Sequence, residues 1–492
     1  MKKKIALVAL VVSNIVLTSC NETSTSINTT SSDISSSSPT STYDFSNVSV
    51  PQGNGEKLFA KSLFCDDIDN VNGSIKAYYD ENCNYLYDED VIAPFNTSMK
   101  VILAYTSSQK DIIDSKAYYV QNRFTYNIQH YHALFDRHYF YKENGEKINN
   151  LAVVNASYGS NKKVKIEKEL FDALKDSVEM TKYSNGLFNM TIGDLSDLWN
   201  DQITLAEYKS FTDDEYRELS KNAKKVIYID PLKDDVDKAK STVLSYEELK
   251  ESLLFDEENL TVTFKEVERL KGTELKPSIT LGGFAKGRAT ELFYQSGVLD
   301  SLVSYIDSGS SSIKFLGNRA DDKPWTVNLT NPKYMEVYNS PSWESSSLLN
   351  GSEVQFFLFN DFSISSSGYY NHYFYAKDAS MRRRNHIINP LTGYSEDFFD
   401  AVTIVMDDAG LADMYTTALM STTSIEEADA LLAKMNEGFN TSAKAIYMNY
   451  DEKTSRANCY IDSSFLGNVK YIEGLSNPVI TDIHVRWLWL NY

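Results

Sequence analysis

Two periods of apolar residues alternate along this chain. Over residues 164–184, VKIEKELFDALKDSVEMTKYS, apolar side chains at Leu170, Leu174, Val178 and Met180 predict an amphipathic helix. Residues 110–136 have helical spacing too, and 409–421, AGLADMYTTALMS, predict a third helix. SMKVILAY (98–105), WTVNLTNP and VQFFLF read as strands. LVSYIDSGSSSIKFLG (302–317) reads as strand, loop, strand, and SITLGGFAKGRATELFYQSGV (278–298) as strand, tight turn, helix. The charge-rich stretch 200–260 is expected at the periphery, and no internal repeat is visible. Strands and helices interleaved in this way predict a mixed α/β (α+β) fold.

The two ends of the pattern change the picture. Lys2, Lys3 and Lys4 precede an apolar run from Ile5 to Val12, which Ser13 and Asn14 interrupt. That run is too short for a spanning helix and reads as an export signal over residues 1–19. It ends in Leu17-Thr18-Ser19-Cys20, which resembles a bacterial lipobox, so Cys20 is expected to be the lipidated first residue of the mature chain. A cleaved signal with a chance cysteine is the plainer alternative. Residues 21–42 hold 15 Ser or Thr in 22 positions and have too little apolar surface to fold. Residues 20–50 are therefore expected to be a tether, 51–90 an acidic, tyrosine-rich extension, and 91–492 the main domain. This layout predicts a lipid-anchored protein on the extracytoplasmic face of the cell membrane. The formal net charge is −20 and argues against general nucleic-acid binding. An EF-hand within 43–90 fails, because placing Gly73 at the turn puts Ile68 and Tyr79 where carboxylates are required. Cys65 and Cys83 are either a disulfide pair or free thiols, and neither they nor Cys459 have zinc spacing.

Three constellations have the composition of a site. In LGGFAKGRATE (281–291), Gly282 and Gly283 permit close backbone approach. The following helix N-terminus and Lys286 favour an anion. An ordinary turn with a surface lysine is the alternative. Asp413 and Thr417 lie four apart on a predicted helix and make a hard-oxygen pair suited to Mg²⁺, unless Thr417 merely bonds back to its own helix. In RRRNHIINPLTGYSED (382–397), His386 is a candidate base, and Arg382, Arg383 and Arg384 are either a solvated patch or a pyrophosphate contact. H-E-x-x-H, G-x-S-x-G and Walker patterns are absent from the sequence.

The order of these segments is more specific than any one of them. NGLFNMTIGDLSDLW, LGGFAKGRA, SYIDSGSSSIKFLG, SISSSGYY, NHIINPLTG and ADMYTTAL follow one another along the chain. In that order they resemble the ApbE-type FAD:protein FMN transferase family, over about residues 91–430. The resemblance implies a fold with an FAD cleft and Mg²⁺ at the pyrophosphate. It implies transfer of FMN from FAD to a Ser or Thr hydroxyl of an extracytoplasmic target protein, releasing AMP. By position, Gly283, Asp413, Thr416 and Thr417 would lie at the metal. Phe95, Tyr141, Leu187, Phe188, Asn189, Thr280, Lys286 and Ile387 would line the flavin nucleotide, and His386 would act near the transferred phosphate.

Four positions depart from the family pattern. Thr280, Asn189 and Asn389 stand where carboxylates are usual, and Ser310 stands where a glycine is usual. Loss of three acids leaves open two alternatives: Mg²⁺-dependent hydrolysis of FAD to FMN and AMP, or flavin binding without catalysis.

Overall fold

The computed structural model describes residues 52–65, 77–79, 85–86, 94–143, 146–329, 332, 354–358, 360–451, 456–472, 479–480 and 484–489. The export signal, Cys20, the tether and Cys83 lie outside them.

A ten-stranded sheet is the centre of the fold. Its order across the sheet is Phe59–Phe64, Met99–Tyr105, Ser304–Ser308, Ser312–Leu316, Phe362–Gly368, Ala401–Met406, Lys444–Asp451, Arg456–Asp462, His484–Trp489 and Val479–Ile480. Every pairing in it is antiparallel. The expected α/β (α+β) fold is therefore realised as α+β. Part of the acidic extension, Phe59–Phe64, is built into the sheet as an outer strand.

Alternation along the strands makes two cores. Met99, Val101 and Leu103 face one, while Ile102 and Ala104 face the other. The helices Lys110–Phe135, Ala285–Gln295 and Ala409–Leu419 cover the first face. The second holds Phe315, Trp325 and Phe362 beneath a three-stranded sheet of Trp325–Leu329, Val354–Leu358 and Val469–Ile472. Burial on both faces explains why the central strand Ala401–Met406 is continuously apolar apart from Thr403.

The predicted helices form at 110–135, 168–183 and 409–419. Asp408 starts the last of these by accepting the Leu411 N–H at 2.8 Å. The strand expected before the glycine turn is reduced to one bridge, Ile192 to Ser278. The chain there hydrogen-bonds to side chains and to the 190–193 segment instead of a ladder: Ile279 N–H goes to Asn155 Oδ1 and Thr280 N–H to Met190 O.

The first part of the charge-rich stretch folds onto a separate small core, while Leu244, Leu249 and Leu253 join the main one. Leu195, Trp199 and Ile203 of the helix Gly193–Thr212 pack with Val226, Phe374 and Ile388. Strand Ile227–Tyr228 runs parallel to Tyr373–Ala376, which pairs antiparallel with Arg383–Asn385. This unit carries the segment that ends at His386.

Candidate active site

The glycine turn meets the helix Ala409–Leu419 at close range. A Cβ on Gly287 would lie 2.3 Å from Ala409 O and 2.9 Å from Asp413 Cβ. Only glycine lets the two helices cross here. At this crossing Asp413 Oδ2 accepts the Gly287 N–H at 2.9 Å, and Oδ1 accepts the Ser365 hydroxyl. One of the helix N-terminal N–H groups expected to face an anion is therefore already used by Asp413. One turn on, Thr417 Oγ1 donates to Gly283 O at 2.8 Å.

Asp413, Thr417 and Gly283 thus bring a carboxylate, a hydroxyl and a backbone carbonyl to one junction between two segments 134 residues apart. Burial raises the Asp413 carboxyl above its ordinary value, while the Lys286 ammonium opposes that shift. A buried carboxylate beside neutral oxygen donors fits a hard divalent cation, which would hold it ionised. Among the described residues no cluster of three or more His, Cys, Asp or Glu forms a metal cage. Any cation here would rely on these three oxygens and on oxygens from a ligand.

Thr416 sits differently from its neighbour. It is fully buried, donates to Asp413 O at 2.9 Å and accepts from Ser367 Oγ at 2.8 Å. Its hydroxyl braces the helix against the strand Phe362–Gly368. Ser365 and Ser367 are two apart on that strand and face the helix together. The i, i+2 serines in SISSSG were the available signal for these two supporting residues.

The Lys286 ammonium works in opposite senses on its two neighbours: it favours the ionised Asp413 and the neutral His386. Desolvation is the main cause that lowers His386 to about 4, with His372 and Lys286 adding to it. Its Nδ1 lies 3.3 Å from the His372 carbonyl oxygen. A carbonyl only accepts, so Nδ1 carries the proton and Nε2 keeps a free lone pair. The imidazole is neutral near pH 7 and suited to accept a proton.

Of the other expected flavin residues, Phe188 lies against the glycine turn, while Phe95 and Tyr141 pack around His132. Phe188 packs on Phe284 with ring centroids 5.9 Å apart, and its Cε2 lies 3.6 Å from where a Gly283 Cβ would be. Leu187 is buried beside it. Ile387 is half-buried, and its N–H is held by Asn385 Oδ1 at 2.8 Å. Phe95 has φ 56° and lies edge-on to His132. Tyr141 is buried, and its hydroxyl donates to Asp136 Oδ2 at 2.6 Å.

Each departure from the family pattern has a local partner. Thr280 Oγ1 accepts the Gly282 N–H at 3.2 Å, a turn contact that a carboxylate could also make. Asn189 is buried; its amide donates to Leu244 O at 2.6 Å, and its oxygen accepts Thr191 N–H and Oγ1 at 2.9 and 2.8 Å. Asn389 donates to Glu396 Oε1 at 2.8 Å and accepts the Leu391 N–H at 2.9 Å. Ser310 adopts φ 60°, the left-handed conformation that glycine takes at least cost.

The arginine run is neither a solvated patch nor a free pyrophosphate contact. Arg383 is buried, pairs with Asp400 and stacks its guanidinium 3.6 Å from the Tyr369 ring centroid. Arg384 is also buried and forks onto Asp230 at 2.6 to 3.0 Å. Only Arg382 is exposed.

The profile of the ApbE family matches residues 95–441, which is most of the chain. The chain belongs to the ApbE family. No curated protein matches it. Solved structures similar to this ApbE-family chain include an ApbE protein from Thermotoga maritima at 20% identity and TM-score 0.48, covering 75% of this chain and 94% of that one. They also include the flavin transferase ApbE from Vibrio cholerae, at 16% identity and TM-score 0.47, covering 75% and 95%. A third is the apo form of the flavinyl transferase ApbE from Pseudomonas stutzeri, at 14% and 0.48, covering 81% and 93%.

Proposed function

We propose that this ApbE-family protein is a flavin transferase that moves FMN from FAD onto a Ser or Thr hydroxyl of a target protein and releases AMP. The observation that carries the reading is the junction of Asp413, Thr417 and the Gly283 carbonyl at the glycine turn that leads into Lys286.

In this reading the acceptor oxygen attacks the phosphorus of the FMN half of FAD. The new O–P bond forms as the bridging P–O bond breaks, and AMP leaves with the bridging oxygen. The acceptor proton passes to the unprotonated Nε2 of His386. Lys286 balances charge on the non-bridging oxygens, which is the main requirement of phosphoryl transfer. Asp413, Thr417 and Gly283 O would hold Mg²⁺, which supplies further charge neutralisation at the pyrophosphate. Phe188 packs against the same turn, and in this reading Leu187 and Ile387 would add apolar contacts to the flavin.

The reading includes export and a lipid anchor at Cys20, with an extracytoplasmic acceptor protein. Among the described residues no helix is long and apolar enough to cross a membrane.

The test is incubation of the purified chain with FAD and Mg²⁺, with and without a threonine-bearing acceptor domain. Covalent FMN on the acceptor, AMP in equal amount and loss of both in Asp413→Ala are expected. Free FMN and AMP at full rate without acceptor would assign the site to FAD hydrolysis instead.

A further inference from the structure

His386 closes a short chain of contacts that begins on the charge-rich helix Gly193–Thr212. The ladder between Tyr373–Ala376 and Arg383–Asn385 pairs Tyr373 with Asn385. One step beyond it, His372 and His386 face each other across the two strands, with ring centroids 5.9 Å apart. The His372 carbonyl is the group that accepts the hydrogen bond from His386 Nδ1–H. His372 is a hinge: the single turn Tyr369–Asn371 ends there, its N–H returns to Tyr369 O at 3.2 Å, and the strand begins at the next residue. Its ring is held from outside, because Nδ1 lies 2.9 Å from Glu207 Oε1. Glu207 is fixed in turn by its helix, where Trp199 stacks on Phe374 and donates to Gly393 O at 2.8 Å.

We propose that Glu207 and His372 are positioning residues for His386: the Glu207–His372 contact anchors the hinge whose carbonyl holds His386 in the Nδ1-protonated tautomer, leaving Nε2 free to face the acceptor. Neither residue touches the reacting phosphate in this arrangement. Glu207 belongs to the peripheral unit, so that unit has a stated role in the chemistry beyond filling space. The inference rests on the reading of His386 as proton acceptor, but its structural half is measurable without that reading.

The experiment uses the full chain labelled with ¹⁵N-histidine; the sequence has six histidines, a number that two-dimensional imidazole spectra resolve. Wild type is expected to show His386 as one Nδ1-protonated tautomer near neutral pH. Glu207→Ala is expected to mix the two tautomers at His386. In the same variant, turnover of FAD to AMP in the presence of Mg²⁺ and acceptor falls about tenfold in kcat with KM for FAD unchanged. Glu207→Gln keeps an acceptor for His372 and is expected to restore both readouts. A pure Nδ1-protonated His386 in Glu207→Ala would overturn the proposal, and so would a Gln variant as impaired as the Ala variant. His386→Ala is measured alongside: undiminished AMP release there would remove the proton-acceptor reading, and the tautomer spectra alone would then decide the positioning claim.

Discussion

Asp413 Oδ2 accepts the backbone N–H of Gly287 at 2.9 Å, so a carboxylate of one helix caps the first turn of another. The contact exists because Gly287 lets the backbones cross. Gly287→Ala inserts a methyl group 2.3 Å from Ala409 O, and the helices must part. Overpacking of this kind costs about 1–3 kcal/mol. Urea unfolding should show that loss, and Mg²⁺ with FAD should stabilise the variant less than wild type. A variant as stable as wild type would refute the close crossing.

Asn389 stands where the family usually has an acid, and Glu396 lies 2.8 Å from its amide nitrogen. The carboxylate has in effect moved across the contact. Asn389→Asp would set two carboxylates against each other at a buried site and remove a donor. A loss of about 1–3 kcal/mol is expected, with much of it recovered in the Asn389→Asp, Glu396→Gln double variant. Additive losses in that double-mutant cycle would show that the pair is not coupled.

Asn189 makes a similar case without a charged partner. Its amide donates to Leu244 O, which an aspartate cannot do. Asn189→Asp leaves that carbonyl unpaired and adds charge beside it, at a cost of about 1–3 kcal/mol. Faster exchange of the Leu244 amide, which Thr191 Oγ1 accepts at 2.8 Å, would report the loosening. Unchanged exchange and stability would mean that Asn189 tolerates the acid and that the family residue was lost for no structural reason.

The helices were legible because their signals are local. The helix at 409–419 follows from spacing alone, whereas the glycine turn and the Asp413–Thr417 pair each had a plainer alternative and stood out only through the order of segments that resembles the ApbE family. Contacts between distant segments were not legible. Arg384 reads as a surface charge until Asp230, 154 residues earlier, is brought against it. The same holds for Glu207 and His372, 165 residues apart. The strand expected at 278–280 failed for another reason: strand-like composition cannot show whether a neighbouring strand is there to pair with, and only Ile192 is.

His386 gives the last prediction its sign. An unfolded histidine titrates near 6.5, whereas desolvation holds the folded imidazole at about 4. Its folded value is depressed, so the unfolded state binds the proton first as the pH falls. The stability tied to its neutral form is fully present above about pH 6.5 and is lost progressively down to about pH 4. Wild type should therefore lose stability relative to His386→Gln across that window in denaturant titrations. FAD turnover should likewise show no acid limb near 6.5 from this residue, because Nε2 stays unprotonated until the pH approaches 4. A histidine resonance for His386 that titrates near 6.5 in the free protein would sink both expectations, and with them the claim that burial, rather than a bound partner, keeps this base ready.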